Sequence, residues 1–239
     1  MKKKIAILGS TGSIGKTLNQ IIKKDKKNFD IVLLTANRDY KELIKQSKIL
    51  NVKNLIITNK KSYEELKKKK LSKINIFNNY NSFNKIFKKK IDYVMSSISG
   101  IHGLEPTVKI IKYTKKIAIA NKESIICGWH LINKEIKKFK TIFVPVDSEH
   151  FSIFYALQGN KISNIDKIYL TASGGPLNNI SKKKFKNIKI SEAIKHPNWK
   201  MGKKISVDSA TMMNKVFEII EAKKIFDLSY KQIEILTHP

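Results

Sequence analysis

The sequence predicts an α/β protein built on a parallel sheet, and three observations carry the prediction. Short runs rich in Ile, Leu and Val alternate with segments of helical spacing through the first 147 residues, as strands joined by crossover helices require. A glycine-rich turn, Gly9-Ser-Thr-Gly12-Ser-Ile-Gly15, separates the first strand-like run from the first helix-like one. After residue 147 the alternation stops, and a more irregular order of segments follows. This change of texture places a domain boundary between residues 1–147, the parallel-sheet domain, and residues 148–239, an α+β domain.

Taken in order, Lys4 to Leu8 is short and apolar beyond its first residue, which suits a buried parallel strand. Its approach, Met1-Lys-Lys-Lys, imitates a signal peptide, but Gly9 and Gly12 end the apolar run well short of a secretory core. Ile14 to Lys24 has helical spacing, and Phe29 to Thr35 reads as a second strand. Leu55 to Thr58, Ile91 to Met95 and Ile117 to Ala120 read as further buried strands, with helical segments at Tyr40 to Leu50, Tyr63 to Lys70 and Glu105 to Lys112. The strand Ile142 to Val146 closes the first unit. Beyond it come a helix at Phe151 to Gln158, a strand at Lys167 to Thr171 and the loop Ser173-Gly-Gly-Pro176.

The stretch Ser209 to Ala222 contains no Gly or Pro and is expected to form one helix. Winding it at about 100° per residue brings Thr211, Asn214, Lys215 and Glu218 onto one stripe. Met212, Met213, Val216, Phe217, Ile219 and Ile220 fill the rest of the circumference. So wide an apolar arc predicts a helix packed in protein, with an amide, an ammonium and a carboxylate aimed into one narrow gap. An amphipathic helix with a solvated polar face accounts for the same stripe.

At 239 residues the chain is long enough to bury a real core without staples. Cys127 is its only cysteine, which excludes an intrachain disulfide and a four-cysteine zinc site and points to the reducing cytoplasm. No apolar stretch is long enough to cross a bilayer, so no membrane partner is expected. The net charge of +29 invites a nucleic-acid reading. Against it, Arg38 is the only arginine, whereas nucleic-acid surfaces favour arginine forks interleaved with aromatics. Lysine runs such as Lys67 to Lys70, Lys88 to Lys90 and Lys182 to Lys184 read as solvated faces that give weak, salt-sensitive adhesion, so no specific nucleic acid is expected.

Chemistry concentrates in a few motifs. The glycine turn lies where a dinucleotide phosphate site needs a tight turn and close backbone approach at a helix N-terminus, although its G-x-x-G-x-x-G spacing also suits an ordinary βα turn. At the end of the second strand an NAD enzyme usually places an acid for the ribose 2′-hydroxyl. This chain reads Ala36-Asn-Arg38-Asp39, and Arg38 suits a 2′-phosphate, which favours NADP over NAD; an exposed arginine fits the same position. Asn121-Lys-Glu-Ser124 follows a strand, where open sheets bind ligands, yet read alone it is a polar loop capping the next helix. In Asp147-Ser-Glu-His150 two carboxylates two residues apart at a strand end can converge on a hard cation such as Mg²⁺ or Mn²⁺, with Glu218 as a third ligand. The same pair suits the N-terminus of a helix. Ser173, His196, Ser209, Asn214 and Lys215 are the donors expected around a phosphate monoester. Trp199 and Met201, beside Gly202, fit either a closing lid or a packed loop.

Assembled, these motifs resemble the 1-deoxy-D-xylulose 5-phosphate reductoisomerase family. The resemblance runs along the whole chain: Gly9 to Gly15, Ala120-Asn-Lys-Glu-Ser124, Pro145-Val-Asp-Ser-Glu-His150, Ser173-Gly-Gly-Pro176 and nearly all of His196 to Ala222, in family order. It implies a Rossmann-like NADPH-binding domain followed by a truncated α+β catalytic domain. It implies a metal held by Asp147, Glu149 and Glu218, and substrate contacts from Ser148, Ser173, His196, Ser209, Asn214, Lys215 and Lys122. Cofactor contacts are implied at Thr11, Gly12, Ser13, Ile14, Asn37, Arg38, Asp39, Asn121, Glu123 and Gly202. In similar enzymes a divalent metal promotes a carbon-skeleton rearrangement of the sugar phosphate, and the resulting aldehyde takes hydride from NADPH. Lys122, Glu149, His196 and Lys215 are the catalytic candidates, and the family's homodimer is the expected assembly. The chain departs from the family in having Asn37 and Asp39 around its basic residue, and it ends at Leu236-Thr-His-Pro239 inside a strand that similar enzymes continue. Two expectations follow: an active reductoisomerase, or a remnant that binds NADPH without turnover.

Overall fold

In the computed structural model the described residues are 1–158, 162–172, 177, 180–194 and 203–237. The chain divides into two compact units, Met1–Val146 and Asp147–Pro239.

The first unit alternates strand and helix: β1 (Lys3–Leu8), α1 (Ser13–Lys24), β2 (Phe29–Ala36), α2 (Tyr40–Leu50), β3 (Asn54–Ile57), α3 (Lys60–Lys68), β4 (Asn75–Phe77), α4 (Phe83–Ile86), β5 (Ile91–Ser96), α5 (Leu104–Ile110), β6 (Thr114–Ile119), α6 (Lys122–Phe139) and β7 (Ile142–Pro145). The strands form one seven-stranded sheet in the order β4-β3-β2-β1-β5-β6-β7, and every pairing is parallel. Chain direction across the sheet reverses between β1 and β5, and ligands of open α/β sheets bind at such a switch point. The central strands are apolar on both faces: Ala6, Ile7, Leu8, Leu33 and Leu34 have no exposed surface, since helices cover the sheet on each side. Ile22 of α1, Leu43 of α2 and Leu66 of α3 complete the core.

Helix starts follow from cap chemistry. The side chains of Asp39, Asn59 and Asn121 accept the N–H groups of Glu42, Ser62 and Ser124, satisfying donors that the first turns of α2, α3 and α6 leave unpaired.

The second unit holds α7 (Ser148–Ala156), β8 (Ile168–Ala172), α8 (Ile190–Ala193), α9 (Lys203–Ala210), α10 (Met213–Phe226) and β9 (Ile233–Thr237). Strands β8 and β9 pair in parallel, and Ile153, Leu170, Ala222, Leu228 and Ile233 form the apolar core of this unit.

Two expectations change. The helix expected from Phe151 begins at Ser148, because Asp147 accepts the Glu149 N–H at 3.3 Å and starts the helix through its cap rather than its apolar spacing. The single helix expected over Ser209 to Ala222 is two, α9 and α10, divided at Met212, whose left-handed φ of 61° breaks the hydrogen-bond ladder. Ser209 therefore lies in the last turn of α9, and its carbonyl accepts the Met212 N–H at 3.1 Å. The polar stripe of α10 is packed as expected, with Lys215, Glu218 and also Glu221 buried and Asn214 half-buried, while Met213 and Val216 of its apolar arc are exposed.

Candidate functional site

The first unit carries a cleft of about 550 Å³ at the switch point, lined by Gly9, Thr11 and Gly12 of the glycine turn, Thr35 to Asn37 after β2, Thr58, Tyr80, Ser97 to Ser99, His102 and Glu105. This volume lies within the range of small-molecule sites. The turn is shaped by its glycines. At Gly9, with φ 79°, a Cβ would meet the Ser97 carbonyl oxygen at 2.8 Å; at Gly15 it would meet the Gly9 carbonyl oxygen at 2.5 Å. The turn is also tied to β2, with Gly9 N–H donating to Thr35 Oγ1 at 2.9 Å and Ser10 N–H to the Thr35 carbonyl at 2.8 Å.

Of the predicted cofactor residues, Thr11 and Gly12 line this cleft, while Ser13 and Ile14 open α1 with exposed side chains. Asn37 lines it too and donates to Thr58 Oγ1 at 2.8 Å; Arg38 beside it is exposed. The Asp39 carboxylate is engaged as the cap of α2, so its charge is directed at a helix N-terminus. The Asn121 side chain is buried and fully used: its amide nitrogen donates to the Ile98 carbonyl and to the Gly100 carbonyl, the latter at 2.7 Å, and its oxygen accepts from Ser124. Only its backbone remains for a ligand. Lys122 and Glu123 stand half-buried in the first turn of α6. Sequence reasoning missed Thr35, Thr58, Tyr80, His102 and Glu105 as cleft residues; the available signal was confined to Thr35 and Thr58, at the ends of β2 and β3. Burial pushes the Tyr80 phenol up to about 12, against the opposing hydroxyls of Thr35 and Thr58.

The second unit brings Asp147, Glu149 and Glu218 together, with one ligand atom from each lying within 4.8 Å of the others. Asp147 and Glu149 come from the start of α7, and Glu218 from the inner face of α10. Lys215, one turn before Glu218, directs its ammonium into the same cluster: it donates to Glu149 Oε1 at 2.9 Å and the Thr171 carbonyl at 2.6 Å, and pairs with Glu218. Asn214 donates to the other Glu218 oxygen, and Ser148 Oγ donates to Glu149 Oε2 at 2.7 Å. Burial holds the Glu218 carboxyl above its ordinary range; attraction to Lys215 opposes this, and repulsion from Asp147 and Glu149 adds to it. Burial pulls the Lys215 ammonium down, but its bonds to Glu218 and Glu149 outweigh that and raise it.

His150 and Glu221, each 1% exposed, extend the cluster and were not assigned from sequence. His150 Nε2 bonds the Glu218 backbone carbonyl at 2.9 Å, and Nδ1 lies 3.4 Å from Asp147, so the imidazole ties α7 to α10 at the cluster. Burial lowers its pKa, yet the Asp147 hydrogen bond and the Glu221 charge outweigh burial and leave it raised. Asp147, His150 and Glu221 form a second group with metal-ligand spacing. The signal for Glu221 was its place three residues after Glu218, on the same helix face. The predicted residues Ser173, His196 and Gly202, and the Trp199 to Met201 loop, lie outside the described residues.

The parallel sheet, its reversal at β1 and its glycine-rich first turn define the class, the Rossmann-like α/β proteins. The 1-deoxy-D-xylulose 5-phosphate reductoisomerase profile matches residues 5–128, and the profile of that enzyme's C-terminal domain matches residues 143–226. The chain belongs to the 1-deoxy-D-xylulose 5-phosphate reductoisomerase family. It is 65% identical over 240 residues to the reductoisomerase of Pelagibacter ubique (strain HTCC1062), covering 99% of this chain and 62% of that relative. It is 44% identical over 239 residues to that of Wolbachia pipientis subsp. Culex pipiens (strain wPip), covering 99% and 61%. The solved reductoisomerase of Zymomonas mobilis in complex with NADPH matches with a TM-score of 0.87 and 34% identity, over 100% of this chain and 62% of that one. A DOX-P reductoisomerase in complex with NADPH, fosmidomycin and magnesium matches with a TM-score of 0.89 and 35% identity, over 99% and 61%. The chain thus spans about three fifths of the length of these relatives.

Proposed function

We propose that the protein catalyses the NADPH- and divalent-metal-dependent conversion of 1-deoxy-D-xylulose 5-phosphate to 2-C-methyl-D-erythritol 4-phosphate, a step of isoprenoid precursor synthesis. The observation that carries this reading is the convergence of three carboxylates, Glu218 buried and Asp147 and Glu149 half-buried, in a chain of this family, because like charges held this close repel unless cations neutralise them. The relatives solved with NADPH and with magnesium support the same ligand set.

The residues fit the groups they would hold. Asp147, Glu149 and Glu218 offer the oxygen ligands that Mg²⁺ or Mn²⁺ takes. An ion bound there supplies Lewis-acid polarisation of the sugar's oxygens. Residues 1–147 serve as the NADPH domain: Thr11, Gly12, Ser13 and Ile14 receive the diphosphate, and Asn37 and Arg38 receive the adenosine end, the guanidinium facing the 2′-phosphate. Asp39, Asn121, Glu123 and Gly202 complete the cofactor contacts, Asp39 by fixing the helix behind Arg38. Residues 148–239 serve as the catalytic domain. There Ser148, Ser173, His196, Ser209 and Asn214 donate hydrogen bonds to the substrate and its phosphate. Lys215 and Lys122 add positive charge where negative charge develops, and the Trp199 to Met201 loop excludes water.

No helix among the described residues is long and apolar enough to cross a membrane. The reading carries with it a homodimer, the cytoplasm as compartment and Mn²⁺ as an alternative to Mg²⁺; sedimentation, cell fractionation and metal substitution test each. The central experiment mixes purified chain, NADPH, Mg²⁺ and 1-deoxy-D-xylulose 5-phosphate and follows NADPH absorbance. Substrate-dependent oxidation is expected. NADPH binding without turnover at any metal concentration would make the chain a binding remnant, and absence of NADPH binding would overturn both readings.

A further inference from the structure

We propose that Asn19 and Gln46 are positioning residues for the nucleotide site, whose amides hold the Ser10 carbonyl from beneath and thereby turn the Thr11 N–H into the cleft as a donor to the diphosphate of NADPH. The inference deepens the NADPH-binding reading above and rests on it.

The two side chains come from different helices and converge on one atom. Asn19 Nδ2, from α1, donates to the Ser10 carbonyl oxygen at 3.3 Å, and Gln46 Nε2, from α2, donates to the same oxygen at 3.0 Å. Both residues are more than nine-tenths buried, at 8% and 5% exposure. The second Gln46 N–H donates to Glu42 Oε1 at 3.1 Å. Ser10 has no exposed surface, and its N–H and Oγ both donate to the Thr35 carbonyl, at 2.8 and 3.2 Å. Every polar atom of Ser10 is therefore tied to the scaffold beneath the turn.

The cost of this arrangement shows what it selects. Asn19 Oδ1 and Gln46 Oε1 are buried without hydrogen-bond partners among the described residues. Turning either amide over would move its oxygen, but would then set an acceptor against the Ser10 carbonyl. Two donors at this carbonyl are retained although each leaves an orphaned acceptor behind, and simple filling of the gap between α1 and α2 asks for apolar side chains instead.

The consequence reaches the ligand through the peptide plane. In a planar trans peptide the N–H points opposite to the C=O, and the described chain has no cis peptide bond. With the Ser10 carbonyl pinned toward α1 and α2, the Thr11 N–H faces the other side, and Thr11 lines the cleft. Gly9, Ser10 and Gly12 use their N–H groups on Thr35 Oγ1, the Thr35 carbonyl and the Gly9 carbonyl. Among the described residues the Thr11 N–H has no protein acceptor. It is an amide of the turn that is held in place yet left available beside the unpaired N–H groups of the first turn of α1, which is the property an anion donor needs.

The test compares two ligands on the full 239-residue chain. NADPH contains the diphosphate; adenosine 2′-phosphate lacks it. Affinities are measured by calorimetry for the wild type, Gln46→Met, Asn19→Leu and the double variant. The double variant is expected to bind NADPH at least roughly tenfold more weakly, which is the loss of about one charge-assisted hydrogen bond, while binding adenosine 2′-phosphate within about twofold of the wild type. Equal losses for both ligands would mean a merely structural role and overturn the proposal, as would unchanged NADPH affinity. Should the double variant not fold, the near-isosteric Gln46→Met decides by the same ratio. A wild type that does not bind NADPH overturns the functional reading itself, whereas a binding wild type with indifferent variants overturns only the positioning role.

Discussion

Replacing Lys215 by Met keeps most of the aliphatic stem and removes the ammonium at the centre of the carboxylate cluster. Lys215 is 7% exposed and Glu218 1%, so the change strips a buried carboxylate of its cation. Breaking a buried ion pair from one side costs about 3–5 kcal/mol, and the Thr171 carbonyl loses a donor worth about 1 kcal/mol. Glu218 has one escape, which is to take a proton. Burial already holds its pKa up, and loss of Lys215 raises it further. Between the ordinary carboxyl range and that raised value, the native variant binds more protons than the unfolded chain, so its stability falls as pH rises across the window. Thermal unfolding followed by circular dichroism should show the midpoint reduced by on the order of 10 °C at pH 8, with much of the loss recovered at pH 5. Mg²⁺ at a hundred times the wild-type dissociation constant should return about 2.7 kcal/mol to the wild type, and at that same concentration more to the variant, because the ion replaces the missing charge and binds it more tightly. A loss below about 1 kcal/mol at pH 8, or one indifferent to both pH and Mg²⁺, would refute the reasoning.

Glu218→Gln should abolish metal-dependent turnover and weaken Mg²⁺ binding at least tenfold, leaving NADPH binding unchanged by calorimetry; unaltered activity removes Glu218 from the metal site. In the wild type, Mg²⁺ affinity should weaken as pH falls through the raised Glu218 pKa, since ligation requires the carboxylate. Gly15→Ala forces a Cβ against backbone at 2.5–2.7 Å, and should cost about 1–3 kcal/mol of stability in a melt and also loosen NADPH; an unshifted melt counts against the close approach of α1 to the turn. Arg38→Ala should weaken NADPH by about tenfold or more and leave NADH affinity unchanged, and parallel losses for both would disconnect Arg38 from the 2′-phosphate.

Much of the fold is legible in the sequence because parallel strands covered on both faces leave short, unbroken apolar runs. Leu33 and Leu34 in β2, and Ile56 and Ile57 in β3, are such runs. Strand β4 escapes because three residues, Asn75–Phe77, carry no periodicity. The early start of α7 escapes because its first turn, Ser148-Glu-His150, is polar, and the helix is declared by the Asp147 cap instead. The division at Met212 leaves no trace, since a left-handed residue is ordinarily announced by Gly or Asn, and here a methionine adopts it.

The sites divide along a similar line. The glycine turn is readable because close backbone approach admits few residues other than Gly, so Gly9 and Gly15 announce the geometry themselves. The cleft residues Tyr80, His102 and Glu105 are not readable, because nothing local distinguishes them from other polar positions.

The α/β class and the residue types able to bind nucleotide, metal and phosphate follow from local spacing, and the family follows from the resemblance of whole motifs in order along the chain. Only the tertiary structure decided that α10 turns Lys215, Glu218 and Glu221 inward and leaves Met213 and Val216 outside. A helical pattern records that two faces differ, not which of them meets a partner. Lys215 is buried because Glu149, 66 positions away along the chain, stands ready to take its charge, and such pairings exist only once distant segments have been brought together.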